Sequence, residues 1–193
     1  MNEPRDISRR DLLRGRLGAR GASPSLGSGG ESEPPRRVPL PVHRPPGAVP
    51  EAEFLAGCTR CGACIEACPV GAIVLAPARF REAAGTPMID PHTQACVMCA
   101  DTPCIAACEP GVLQTGRPLK MATAWIDRMN CLAWMGSFCT VCSERCPVAG
   151  AITLEQGRPS VVESVCTGCG VCHAVCPAPV NAVGIMPLPD RPG

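Results

Sequence analysis

Cys58-Thr59-Arg60-Cys61-Gly62-Ala63-Cys64-Ile65-Glu66-Ala67-Cys68-Pro69 is a C-x2-C-x2-C-x3-C run closed by proline, and its spacing recurs along the chain. Cys166, Cys169, Cys172 and Cys176 repeat it and again precede a proline, Pro177. Between these lie two variants. Cys96, Cys99, Cys104 and Cys108 read C-x2-C-x4-C-x3-C, with Pro110 one place late. Cys131, Cys139, Cys142 and Cys146 read C-x7-C-x2-C-x3-C before Pro147. All 16 cysteines fall in these four groups, and none is left over.

Three chemistries compete for such a pattern. Disulfides suit small exported domains, but three cysteines within seven residues crowd one another too closely to bridge well. Zinc favours two C-x-x-C pairs separated by a longer loop, and it is the alternative reading. A tight triplet instead suits a loop wrapped around the corner of a cubane, whose irons each need one thiolate. In the bacterial run the fourth cysteine, before proline, ligates the other cluster of a pair. The sixteen cysteines therefore read as ligands of four [4Fe–4S] clusters. Cys64 and Cys68, at i and i+4, share one face of a short helical turn, which the following proline ends.

Around each group lie short β-prone runs. They are Ala72–Leu75, Met88–Asp90, Trp125–Asp127 and Ala151–Leu154, and a hairpin-like turn at Gln156–Pro159 leads through Val161-Val162 to Cys166. The repeating unit is strand, cysteine loop, helical turn, strand. The expected class is α+β, with two bacterial-ferredoxin-like units.

Composition agrees. The 193 residues include 20 Gly and 23 Pro, about a quarter of the chain, but only three Phe, two Trp and no Tyr. So few aromatics leave a thin apolar core, and cluster formation is expected to supply much of the folding free energy. Formal charge is +1, divided as +4 over residues 1–50 and −3 over residues 51–193. Each oxidised cluster with four thiolates adds about −2, so four would carry the holoprotein to about −7. An acidic body of this kind suits a basic patch on a redox partner. No basic aromatic stripe points to nucleic acid, and no run of about 18 apolar residues points to a membrane span. No phosphate-cradling loop, nucleophile elbow or carboxylate pair marks a substrate site, so an electron carrier or accessory protein is expected rather than an enzyme.

Residues 1–50 read as a disordered Arg/Gly/Pro-rich tail that offers a basic contact surface. Ser8-Arg9-Arg10 resembles a twin-arginine export signal, which would make the protein periplasmic. The polar stretch Gly15–Arg20 stands where an export signal needs an apolar run, which favours the cytoplasm.

Arg44–Val49, the Cys58-Thr59-Arg60-Cys61 start, Cys99-Ala100-Asp101-Thr102-Pro103-Cys104 and the Cys131-Leu132-Ala133-Trp134 lead into the seven-residue gap carry a resemblance. They are similar to the ferredoxin-type polyferredoxins of periplasmic nitrate reductase and methylamine utilisation systems, the NapF, NapG and MauM types. The resemblance implies single-electron relay through four [4Fe–4S] clusters to or from a respiratory oxidoreductase. Its partners would be a molybdenum reductase or a quinol-oxidising membrane protein. An accessory role, binding an immature molybdenum–iron–sulfur enzyme, is the second function it implies. It also implies a nested plan. Residues 51–95 with 147–190 would form an outer unit from groups one and four, around an inner unit at 96–146 from groups two and three. A tandem plan, one with two and three with four, stays open because the connection between the last two groups is short and hairpin-like. Among other residues, Trp125 and Trp134 are expected to pack beside the clusters of groups two and three. His173 is expected to be an exposed loop residue, with tuning of a nearby sulfur as its alternative role.

Overall fold

The computed structural model describes residues 40–189. The basic and Ser8-Arg9-Arg10 stretches lie outside the described residues. Among the described residues no helix is long and apolar enough to cross a membrane.

Two similar halves follow one another. In the first, a seven-residue helix α1 (Glu51–Gly57) leads into the first cysteine group. A single turn α2 (Ala63–Glu66) follows, then β1 (Ile73–Leu75), a 3-10 segment (Ala78–Ala83) and β2 (Pro87–Ile89). The second group holds the turn α3 (Pro103–Ala106). β1 pairs antiparallel with β2, Val74 opposite Met88. The half is closed by an isolated antiparallel bridge between Ala48 and Leu113.

The second half opens with β3 (Ala122–Ile126) and the third group, whose turn is α4 (Val141–Glu144). β4 (Ile152–Glu155) and β5 (Arg158–Val161) form a hairpin, the fourth group carries the turn α5 (Val171–Ala174), and β6 (Val183–Pro187) ends the half. Gln156 (φ 51°) and Gly157 (φ 78°) make the two-residue turn between β4 and β5. Both central residues left-handed is the geometry whose twist matches a hairpin. β6 returns to pair antiparallel with β3 over five residues, from Ala122 opposite Pro187 to Ile126 opposite Val183.

That return corrects the nested expectation. Residues 122–187 close on themselves through β3 and β6, and the first half closes through Ala48 and Leu113. The outer pairing of 51–95 with 147–190 and an inner 96–146 unit does not form, because each closing strand pair joins consecutive groups.

Residues 40–50 correct the tail expectation as well. Val42 to Val49 are buried and belong to the first half. Arg44 is 0% exposed; its guanidinium donates to Glu51 Oε1 (2.6 Å) and Oε2 (3.1 Å), to Thr86 Oγ1 (2.6 Å) and to the Pro87 carbonyl (2.8 Å). It also lies 4.2 Å over the ring of Phe54, itself fully buried. A buried guanidinium is tolerable because a bidentate carboxylate and neutral acceptors take up its donors. Burying Phe54 adds about 2–3 kcal/mol.

Candidate metal centres

Each cysteine group begins as a loop and ends as one helical turn. Gly62 (φ 83°) and Gly170 (φ 89°) start α2 and α5 in the left-handed region that glycine adopts freely. Thr102 (φ 41°) and Pro103 start α3, proline fitting the first helical position where no amide hydrogen is needed. The turn points its i and i+4 cysteines to opposite sites, and the pairing follows from the cavities that the thiols line.

Four cavities of about 300–400 Å3, mouths included, each gather four cysteines. Cys58, Cys61 and Cys64 share the first with Cys108. Cys96, Cys99 and Cys104 share the second with Cys68. Cys131, Cys139 and Cys142 share the third with Cys176. Cys166, Cys169 and Cys172 share the fourth with Cys146. Cys68 thus joins the second group, not the fourth, and Cys176 joins the third, not the first. Cys108 and Cys146, expected with groups three and two, sit with groups one and four. The exchange is tandem because α2 packs on α3 and α4 packs on α5, so each turn hands its last cysteine to its neighbour in sequence.

The donor chemistry fits a cluster better than a single ion. Among the described residues no three His, Cys, Asp or Glu side chains converge to hold one metal ion, yet four thiols face each cavity. Zinc would draw four sulfurs to about 2.3 Å from one centre, whereas a cubane spreads its thiolates over four irons. The walls are almost wholly apolar: Ile65, Val112 and Leu113 at the first site, Ala124, Val148 and Ala151 at the fourth.

Electrostatics mark the same sets. Burial, then the charge of Cys108, pushes the Cys64 thiol up to about 11. Burial, then Cys131 and Cys139, raises Cys142 to about 11, and burial, then Cys169 and Cys166, raises Cys172 to about 12. Cys104 is raised by burial and then by Cys68. Four thiolates in so small and dry a space need positive charge between them, which the iron of a cluster supplies.

Backbone amides reach two of the exchanged sulfurs. Ala72 N–H donates to Cys68 Sγ at 3.3 Å, and Leu113 N–H donates to Cys108 Sγ at 3.4 Å. The inserted Glu109 only moves the donor from the fourth to the fifth residue after cysteine, leaving the ligand in place.

The other singled-out residues divide. Trp134 packs against the buried cluster of Cys131, Ala133 and Ala182, donates Nε1–H to the Pro159 carbonyl at 3.1 Å and lies under Arg128 at 4.2 Å. Trp125 does not shield a site: it is 50% exposed and lies over Gly184 on β6. His173 is buried rather than exposed. Its Nδ1–H donates to the Val183 carbonyl at 2.6 Å and its Nε2 meets Nδ1 of exposed His92 at 3.1 Å, so neither nitrogen is directed at sulfur. The Arg44 network was invisible to sequence reasoning, its only signal being the motif Arg44–Val49 itself.

Comparison with known proteins supports the cluster reading. Residues 57–112, which span the first two cysteine groups, match the 4Fe–4S dicluster domain family. That match joins groups one and two, as the cavities do. The chain is 36% identical to the methylamine utilization ferredoxin-type protein MauM of Methylorubrum extorquens, over 97% of this chain and 92% of that protein. It is 39% identical to MauM of Paracoccus denitrificans over 75% of this chain and 70% of that protein. Ferredoxin-type protein NapG of Escherichia coli is 38% identical, again over 75% and 70%. With its thiols gathered in fours and its likeness running nearly end to end, the chain belongs to the ferredoxin-type MauM/NapG family of [4Fe–4S] proteins.

Proposed function

We propose that the protein relays single electrons through four [4Fe–4S] clusters held by all sixteen cysteines, to or from a respiratory oxidoreductase. The observation that carries this reading is the gathering of four thiols at each of four apolar cavities. A bound cluster supplies reversible one-electron chemistry with every iron already ligated. The chain's own residues supply the thiolates, exclude water with Ile65, Leu113, Val148 and Ala151, and donate amide hydrogens to Cys68 and Cys108. Such bonds and the local dielectric tune potential without opening a coordination position. The partner is a redox protein with a basic face, of the molybdenum-reductase or quinol-oxidising class, and the compartment is the cytoplasm. Fractionation that finds a processed periplasmic form contradicts the compartment.

Anaerobic purification with iron and sulfide quantification tests the relay. Near sixteen irons per chain, with visible absorbance that bleaches on reduction, is the expected result. Zinc in place of iron, or absorbance that no reductant changes, contradicts it.

A further inference from the structure

The loop before the second cysteine group lies directly on the fourth. Cys96 N–H donates to the Cys169 carbonyl at 3.1 Å, joining a residue of the second thiol set to one of the fourth. Cys169 belongs to the apolar cluster of the first half, with Phe54, Cys64, Cys104 and Met121, while Cys142, Cys166 and Cys172 belong to that of the second. His92 meets His173 edge-to-face, ring centres 4.4 Å apart, across the same seam. Met121, at the end of the link between halves, donates its N–H to the Thr167 carbonyl at 2.8 Å.

Within each half the sets already adjoin. α2 carries Cys64 of one set and leads to Cys68 of the next, and α3 leads back to Cys108. α4 and α5 do the same for Cys142, Cys146, Cys172 and Cys176. We propose that the four thiol sets form one unbranched row: Cys58/61/64/108, Cys68/96/99/104, Cys146/166/169/172, then Cys131/139/142/176, with Cys96 and Cys169 as the link between halves. The chemical order thus differs from the sequence order, because the fourth group precedes the third. In the inner Cys146 set three of the four thiols are buried, whereas Cys61 in the first set is exposed. An electron passed between adjoining sets oxidises one and reduces the next. The outside donor and acceptor, each a redox protein, therefore meet the first and last sets.

This order rests on the four-cluster reading, and its test separates the two. Gly170 and Gly62 occupy the same place in the two regular loops, with φ of 89° and 83°. A Cβ on Gly170 would stand 2.6 Å from Cβ of Pro91, across the seam, whereas one on Gly62 meets nothing within 4 Å. Gly170→Ala therefore parts the seam, and Gly62→Ala is its control for backbone strain. Iron and sulfide are first quantified in the anaerobically purified holoprotein. Fewer than four clusters in the wild type overturns the relay reading, and the order with it. At four clusters, EPR of the reduced protein reads magnetic coupling between sites. The expected result is coupling that extends across both pairs in the wild type and Gly62→Ala, and its loss into two separate pairs in Gly170→Ala at unchanged iron. Two isolated pairs in the wild type at full iron overturn the order while leaving the relay intact. So does a Gly170→Ala spectrum equal to the wild type. If Gly170→Ala loses iron, the wild-type spectrum alone decides.

Discussion

The two halves hold the same arrangement of thiols with different scaffolds. The second half closes with a five-residue antiparallel pair, β3 with β6. The first has in that place one bridge, Ala48 to Leu113, and a buried strap pinned by Arg44. What a sheet does by repeated hydrogen bonds, the strap does with one guanidinium and one aromatic ring. A ladder spreads its stability over many small terms, whereas a strap concentrates it in a few residues. The first half should therefore be the easier to break at a single position.

Arg44→Ala is the largest expected break. It removes the guanidinium that Glu51 and Thr86 Oγ1 share and leaves space over Phe54, a loss of about 3–5 kcal/mol. The measurement is iron content with limited proteolysis of the holoprotein. Cleavage within residues 51–113 and loss of about half the iron are expected, while residues 122–187 stay protected. Equal cleavage in both halves would show that the strap is not local in effect.

Gly47→Ala is the next. Gly47 has φ 73°, and a Cβ there would stand 2.5 Å from the Gln114 carbonyl oxygen and 2.7 Å from Ile105 Cδ1. Overpacking against backbone costs about 1–3 kcal/mol, read as a lower temperature for loss of the first half's clusters. An unchanged melt would mean that the bridge contributes nothing.

A smaller effect concerns acid. A ligand thiol must lose its proton, so cluster loading releases protons and weakens as pH falls. Burial raises thiols in both halves, Cys64 and Cys96 in the first and Cys142 and Cys172 in the second, so neither half is spared. On stepwise acidification, iron should leave both halves together, as followed by visible absorbance and proteolysis. Loss confined to one half would contradict this.

The smallest expected effect is on potential. Amide hydrogens on Cys68 and Cys108 Sγ favour the more negative, reduced state. Cys146 Sγ instead faces the Val148 carbonyl at 3.4 Å, an acceptor that cannot stabilise a thiolate. Redox titration should place the two sites of the first half above the fourth set. A Cys146 set at the highest potential would contradict the tuning.

Much of this could be read from residue order, because it is local. The helical turns follow from three-residue spacing with a glycine or proline ahead, and the β4–β5 hairpin follows from Gln156-Gly157 between β-prone runs. The closing partners were not legible. The fourth cysteine of each group leaves its own loop, so identical spacing serves nested or tandem pairing alike. Only the return of β6 to β3 and of Leu113 to Ala48 decides it. Arg44 was hidden for a related reason: it stands among prolines like a tail residue, and its partner Thr86 is 42 residues away. The burial of His173 was hidden because it depends on the return of Val183 in β6 and on His92, which lies far from it in sequence.

The central claim is that consecutive groups share clusters, and the double variant Cys68→Ala/Cys104→Ala tests it most directly. Both thiols line one cavity, so both substitutions fall on one cluster. The measurement is iron per chain after anaerobic purification, against about sixteen for the wild type. Tandem sharing predicts a fall to about twelve, no lower than either single variant. A fall to about eight, with each single variant near twelve, would place the two cysteines on different clusters and contradict the account.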